Sequence, residues 1–182
     1  MLFINIPKGD LPITLTIAKA HLRVGDSTYD DALIAEKLEM AVAVAEDLTG
    51  RIIRDRSVVF DVLFNNGRDF VPMPVHTFAV SEVSLCDIPI APDKYSLACA
   101  DFECRLTVAP EYAGNKLRIK ARLGYDADTI PPAIKAGILM ILGTLYDNES
   151  DNIVGRSVSE LSLTAEKLLN PWRVNPYGQD HV

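Results

Sequence analysis

The amino-acid sequence predicts an α+β fold. A small helical core, made of two N-terminal helices plus one apolar C-terminal helix, is split by an antiparallel β insertion and followed by an extended C-terminal arm. Apolar residues keep helical spacing up to Gly50, alternate with period two from Arg51 to Gly124, and regain helical spacing after Pro131. Prolines and glycines break the middle region into short strands, which suits antiparallel pairing. The expected segments are the helical half 1–51, the β insertion 52–124, the core helix 125–150 and the arm 151–182.

Length, charge and cysteine usage narrow the class of protein. A chain of 182 residues can bury its own core, and a net charge of −7 argues against a protein that coats nucleic acid. Three cysteines without a CxxC pair predict reduced, buried thiols rather than a disulfide framework. The N-terminus has prolines where a signal peptide needs an apolar run, so we expect no export signal.

The N-terminal region predicts two helices. The first spans residues 16–23, with Thr16 as its N-cap. The second begins near Thr28, which has capping-box spacing to Asp31, and runs to Gly50. Its outer face is acidic. Its apolar stripe consists of Ile34, Leu38, Ala41, Ala45 and Leu48.

Strand signals fill the middle of the chain. Apolar residues alternate from Val58 to Phe64, and Asn65-Asn66-Gly67 is a hairpin signal that predicts a return strand beginning at Phe70. Further strands are expected at residues 78–85, 95–98, 102–108 and 116–123.

The last of these strands carries a basic stripe, formed by Arg118, Lys120 and Arg122, because alternate side chains share one face of a strand. The stripe is either a solvated outer sheet face or a contact surface. In the second case its partner is an acidic neighbour, such as the helix at 30–47 of another subunit, or phosphates.

The region 124–150 predicts a helix that is apolar on nearly every face. Two prolines open it after a cap at Asp128 or Thr129, and it ends near Asn148. Its uncharged run is too short for a bilayer span, which needs roughly 20 residues. The helix is therefore enclosed either by its own core or by a neighbouring subunit. The residues expected at a subunit interface are Ile138, Leu139, Met140 and Leu142.

The C-terminal arm combines polar, irregular sequence with a short helix expected at 163–169. Leu168, Leu169 and Trp172 make it too apolar for a purely disordered tail, so we expect it to dock on a protein surface.

Catalytic and metal-binding patterns are missing from the sequence. It has no nucleotide-binding loop, nucleophile elbow or zinc-protease motif, and its three histidines lie in unrelated segments. Cys99 and Cys104 do not have zinc-site spacing. Asp126 and Asp128 form a conceivable carboxylate pair, although helix capping explains at least one of them. We therefore predict no enzymatic activity, no catalytic residue, no cofactor and no metal.

Four segments in this order resemble the head-tail connector (adaptor or head-completion) proteins of tailed bacteriophages, in the longer branch that carries a β insertion. They are ITLTIAKAHLRV (13–24), DSTYDDALIAEKLEMAVAVAEDLTGR (26–51), LGYDADTIPPAIKAGILMILGTLYDNES (123–150) and LSLTAEKLLNPWRV (161–174). The leucine pair followed by proline, aromatic and arginine in the last segment is similar to the family pattern. DNES at 147–150 departs from it, since relatives often have an arginine after an acidic residue there.

The resemblance implies a structural protein of the virion, made in the host bacterial cytoplasm and located at the head-tail junction. It would form a homo-oligomeric ring, of about twelve subunits, on the portal protein. It would extend the DNA channel without sequence-specific DNA binding or membrane contact, and dock the tail or a second head-completion protein. The arm residues Leu168, Leu169, Trp172 and Arg173 are then expected to contact the portal or a neighbour. The alternatives are a tail-side completion or terminator ring protein, and a small phage-encoded DNA-binding regulator or enzyme.

Overall fold

The computed structural model describes residues 2–64, 69–100, 102–147 and 163–174, and it confirms the α+β fold class. The strands are β1 (Leu2–Lys8), β2 (Arg56–Leu63), β3 (Phe70–Met73), β4 (Thr77–Leu85), β5 (Ile88–Pro89), β6 (Tyr95–Ala100), β7 (Glu103–Val108) and β8 (Lys116–Leu123). The helices are α1 (Leu15–Leu22), α2 (Asp31–Thr49), α3 (Pro132–Asp147) and α4 (Leu163–Leu169).

The chain divides into two compact units. The β unit comprises residues 1–10 and 54–125, and the helical unit comprises residues 11–53 and 126–182. All strands named above belong to the first and all four helices to the second. The sequence gives the β unit ten basic and ten acidic residues, and the helical unit eight and fifteen. The whole net charge of −7 is therefore carried by the helical unit.

The β unit contains two antiparallel sheets, with strand orders β1-β2-β8-β4-β5 and β3-β7-β6. Buried residues alternate along β3, β7 and β8, so each of these strands buries one face. In β8 the buried and outer positions alternate over the whole strand, as predicted. The largest fully buried side chains of this unit are Phe60, Phe64, Leu106, Leu117, Ile119 and Leu123.

The predicted hairpin between the strands at 58–64 and Phe70 is wrong. β2 pairs with β1 and β8, whereas β3 pairs with β7 in the other sheet. The turn signal at 65–67 lies outside the described residues. The N-terminal strand was not predicted, although it pairs with β2 from Leu2↔Asp61 to Asn5↔Val58. Local turn chemistry cannot reveal the neighbours of β2, because every residue it pairs with lies at least 48 positions away in the chain.

The helical unit confirms the four predicted helices with small changes at their ends. The N-cap of α1 is Thr14, whose hydroxyl accepts from the Ile17 N–H at 3.4 Å, and Thr16 lies inside the helix. α2 ends at Gly50, which adopts the left-handed conformation expected of a C-cap. α3 packs against α1, α2 and α4, most extensively against α2 and α4.

The prediction of reduced and buried cysteines is wrong for all three residues. Cys99 in β6 and Cys104 in β7 form a disulfide, because the strand register places them directly opposite each other with Cα atoms 4.1 Å apart. Cys86 is a free thiol, and it is exposed rather than buried. A spacing of five residues is uninformative until the hairpin register is known.

Candidate interaction surfaces

The apolar helix α3 turns most of its large side chains into its own unit. Ile138 and Leu142 are fully buried there, together with Ile134 and Ile141. Leu139 is half-buried, and Met140 is 39% exposed. Of the four residues predicted at a subunit interface, only Leu139 and Met140 are therefore accessible to another molecule.

Polar contacts fix α3 along α2. The Lys37 ammonium donates to the Leu145 carbonyl at 2.5 Å, and the Tyr146 hydroxyl lies 3.1 Å from the Asp30 carboxylate. A cation on one of the last carbonyls of a helix also stabilises the negative end of its dipole. Both contacts join the first half of α2 to the end of α3, so the two helices are antiparallel. The side of α3 that carries Met140 lies on the surface.

The described part of the C-terminal arm, residues 163–174, docks on the helical unit of its own chain. The predicted helix at 163–169 is confirmed as α4, and its Ala165 and Leu169 are fully buried. Leu169 packs where α3 has Gly137, since a Cβ atom there would lie 2.8 Å from the Leu169 Cγ and Cδ2 atoms. Gly137 was missed from the sequence. A signal existed, because glycine inside a helix costs about 1 kcal/mol relative to alanine and so indicates close packing.

The segment after α4 is held by the end of α2. Arg51 is only 2% exposed, its Nε donates to the Trp172 carbonyl, and its guanidinium lies 5.4 Å from the Trp172 ring centroid. The Val174 N–H donates to the Thr49 carbonyl at 2.7 Å. Arg51 was not identified from the sequence, because nothing local links it to a tryptophan over a hundred residues later.

Because of these contacts, the four arm residues predicted to contact the portal or a neighbour differ in how exposed they are. Leu169 is enclosed by the arm's own chain, and Trp172 is half-buried beside Arg51. Leu168 is half-buried, and Arg173 is exposed. Arg173 is therefore the most accessible of the four.

We expect Gly137→Ala to weaken the docking of α4. The added methyl would overlap with Leu169, and overpacking of this kind costs about 1–3 kcal/mol. Limited proteolysis should cut the arm faster, and thermal unfolding should shift downward. Gly143→Ala on the same helix is the matched control, because its Cβ would meet only the His21 Nε2 atom at 3.9 Å. Equal behaviour of the two variants would contradict the docking role of Gly137.

The basic stripe is neutralised by carboxylates of its own sheet. Arg118 binds Asp61 at 3.0 Å and Asp87 at 2.5 Å. Lys120 binds Glu82 at 2.9 Å. Arg122 makes a bidentate pair with Asp55 and lies over the Phe78 ring. The stripe is thus a ladder of surface ion pairs rather than an unpaired positive patch.

One end of this ladder lines an open cleft of about 160 Å³, bordered by Asp61, Cys86, Asp87, Lys116 and Arg118. Hydrogen bonds from Arg118 and then from Lys116 lower the pKa of Asp61 below its ordinary value. The pKa of Arg118 is raised, first by its hydrogen bond to Asp61. The charges in this cleft satisfy one another.

The conceivable carboxylate pair before α3 also has a structural role. Asp126 Oδ1 accepts hydrogen bonds from the Thr129 N–H at 2.8 Å, the Thr129 hydroxyl at 2.7 Å and the Asp128 N–H at 3.1 Å. Asp126 therefore closes the turn that leads into α3. Within the described ranges, no cluster of His, Cys, Asp and Glu could hold a metal ion, and no helix is long and apolar enough to cross a membrane.

Comparison with known proteins gives matches among solved structures alone. No family model matches this chain, and no curated protein matches it. A chain in the neck of an empty gene transfer agent (GTA) particle, computed with C6 symmetry, superposes with a TM-score of 0.74 at 17% identity. A chain in the virion of a native GTA particle gives 0.71 at 17%, and one in a native GTA neck with C12 symmetry gives 0.68 at 16%. Each match covers 96% of both chains.

Such coverage means that the β unit, the helical unit and their order along the chain all have counterparts in these structures. These structural matches agree with the resemblance to head-tail connector proteins that the sequence indicated. This chain has the fold of a protein found in the neck of gene transfer agent particles.

Proposed function

We propose that this chain is a structural, non-enzymatic head-tail connector of a tailed phage, prophage or phage-like particle. It forms a ring below the portal, extends the DNA channel and docks the tail. The observation that carries the proposal is the match of the whole fold to neck chains over 96% of both lengths. The C6 and C12 symmetry of those particles supports a ring of several subunits.

The charge distribution supports the passage of DNA. The helical unit carries the entire net charge, and the ion pairs of the stripe leave no unpaired basic row on β8. Because the phosphate backbone is repelled by acidic surfaces, DNA would slide past such a wall without adhering. We assign the wall to the helical unit.

The portal contact is assigned to the accessible part of the arm, namely Leu168 and Arg173. Arginine is well suited to bind a carboxylate of a partner through a bidentate pair. Leu139 and Met140 on α3 are assigned to the neighbouring subunit.

Electron microscopy of negatively stained samples tests the proposal. The purified chain should form rings when it is mixed with the portal of the same genome, with new density capping the portal. Isolated tailless heads should retain the protein. Retention on free tails, with no density on the portal, would overturn the proposal in favour of a tail-side completion ring.

A further inference from the structure

We infer that copies of this chain join through the free edges of two different strands, with β1 of one copy pairing with β6 of the next. The inference rests on the proposed ring and adds the surface that builds it. It starts from the ends of the two sheets. Their strand orders leave β1 and β5 at the edges of one sheet, and β3 and β6 at the edges of the other.

Two of these four edges are protected against a further strand. An edge strand presents unpaired N–H and C=O groups, and proteins protect it with proline, charge or short length. β3 has four residues and contains Pro72, and β5 has two residues and contains Pro89. A proline lacks the N–H group that a neighbouring strand would need.

The edge of β6 has none of these protections. Its sequence YSLACA is six residues long and contains neither proline nor a charged residue. Every side chain in it is half-buried or exposed. Within the described ranges its strand pairing is with β7 alone, and the Cys99 Sγ atom lies 3.4 Å from the Thr77 carbonyl of β4. The disulfide between Cys99 and Cys104 links β6 to β7, so the conformation of the β6 edge is fixed before a partner binds.

The geometry of the disulfide pair shows which groups of β6 are available. Directly opposite residues in an antiparallel sheet are of two classes. In the non-hydrogen-bonded class the Cα atoms are about 4.5 Å apart, and the N–H and C=O groups of each residue point away from the partner strand. The Cα distance of 4.1 Å between Cys99 and Cys104 assigns them to this class. Because the pattern alternates, the N–H groups of Leu97 and Cys99 point to the free edge, and those of Ser96 and Ala98 point to β7.

The second open edge belongs to β1. Its residues Leu2–Asn5 pair in unbroken register with β2, and a register shift follows before Lys8. Pro7 lies at this shift, so the open part of the edge is the N-terminal part. The strand order places only β2 beside it within the described chain.

A second copy of the chain is the partner that fits both edges. The two open edges are different strands in different sheets, so pairing of β1 with β6 is head-to-tail. In a row of copies joined in this way, the first and the last copy each keep one unpaired edge, which is β1 at one end and β6 at the other. Contacts of this kind repeat until a ring closes. Pairing of like edges would instead stop at a dimer.

Residue-resolved amide hydrogen exchange of the full-length chain tests this arrangement, with the mass of the assembly measured in parallel. In the monomer, we expect the Leu97 and Cys99 amides to exchange quickly, and the Ser96 and Ala98 amides slowly. In the ring, formed alone or on the portal, Leu97 and Cys99 should slow at least tenfold together with alternate amides of β1. The Ile119 amide in the central strand β8 should stay equally protected in both states.

The outcomes separate this inference from the proposed function. A ring in which Leu97 and Cys99 exchange as fast as in the monomer overturns the edge pairing and leaves the ring intact. A chain that remains monomeric with and without the portal overturns both. As a second check, a variant that lacks residues 2–5 should keep the Ile119 protection and lose assembly. A ring formed by that variant also overturns the inference.

Discussion

Replacing Gly124 by alanine should destabilise the β unit by about 2–5 kcal/mol, because two penalties add. Gly124 has a φ of +104°, where residues with a Cβ atom are strained. The new Cβ would also lie 2.4 Å from the Arg54 carbonyl oxygen and 2.8 Å from the Asp55 nitrogen. These are backbone atoms, so no side chain can rotate away. Thermal or urea unfolding measures the loss.

Gly25→Ala is the matched control for Gly124→Ala. Gly25 also has a positive φ, of +71°, but its Cβ would meet nothing within 4 Å. This variant should therefore show the backbone strain alone, at about 1–2 kcal/mol. A loss of the same size in both variants would mean that the close approach of Gly124 to residues 54 and 55 has no energetic consequence.

Placing aspartate at two neighbouring positions of α3 should give opposite results. Ile138→Asp puts a charge at a fully buried site, so we expect a loss of at least about 4 kcal/mol and an unfolded helical unit. Met140→Asp lies on the exposed side and should leave the unfolding temperature nearly unchanged. It should nevertheless prevent ring formation, because the charge would be desolvated against the next subunit.

Circular dichroism and sedimentation velocity distinguish the two effects. The conservative variant Met140→Leu should unfold and assemble like the parent chain. Normal assembly of Met140→Asp would remove α3 from the subunit interface. Unfolding of Met140→Asp would mean that this face is enclosed by its own chain.

Local sequence signals were sufficient for most elements of the fold. The period of the apolar residues predicted α2 and α4, and the strict alternation in 116–123 predicted β8 with its basic stripe on one face. These features depend on residues that are close in the chain, where periodicity and capping chemistry act. Prolines and glycines likewise placed the strand boundaries within a few residues.

The residues that contact the basic stripe and the arm could not be predicted from local sequence signals. The sequence left the stripe as either a solvated sheet face or a contact surface, whereas in the structure it is paired with Asp61 of β2, Glu82 of β4 and Asp55, which precedes β2. The arm was predicted to dock on a protein surface, and its residues 163–174 pack against Gly137 and Arg51 of the same chain. Each contact joins residues that are far apart in sequence, where single-sequence patterns carry no pairing information.

The sequence by itself determined the α+β class, the helices, most of the strands and the lack of familiar catalytic motifs. Tertiary structure alone decided that β2 lies between β1 and β8, that Cys99 faces Cys104, and that Ile138 and Leu142 are enclosed while Met140 is not. The physical reason is that periodicity fixes which face of an element is apolar. What covers that face depends on strand register and on packing between distant segments.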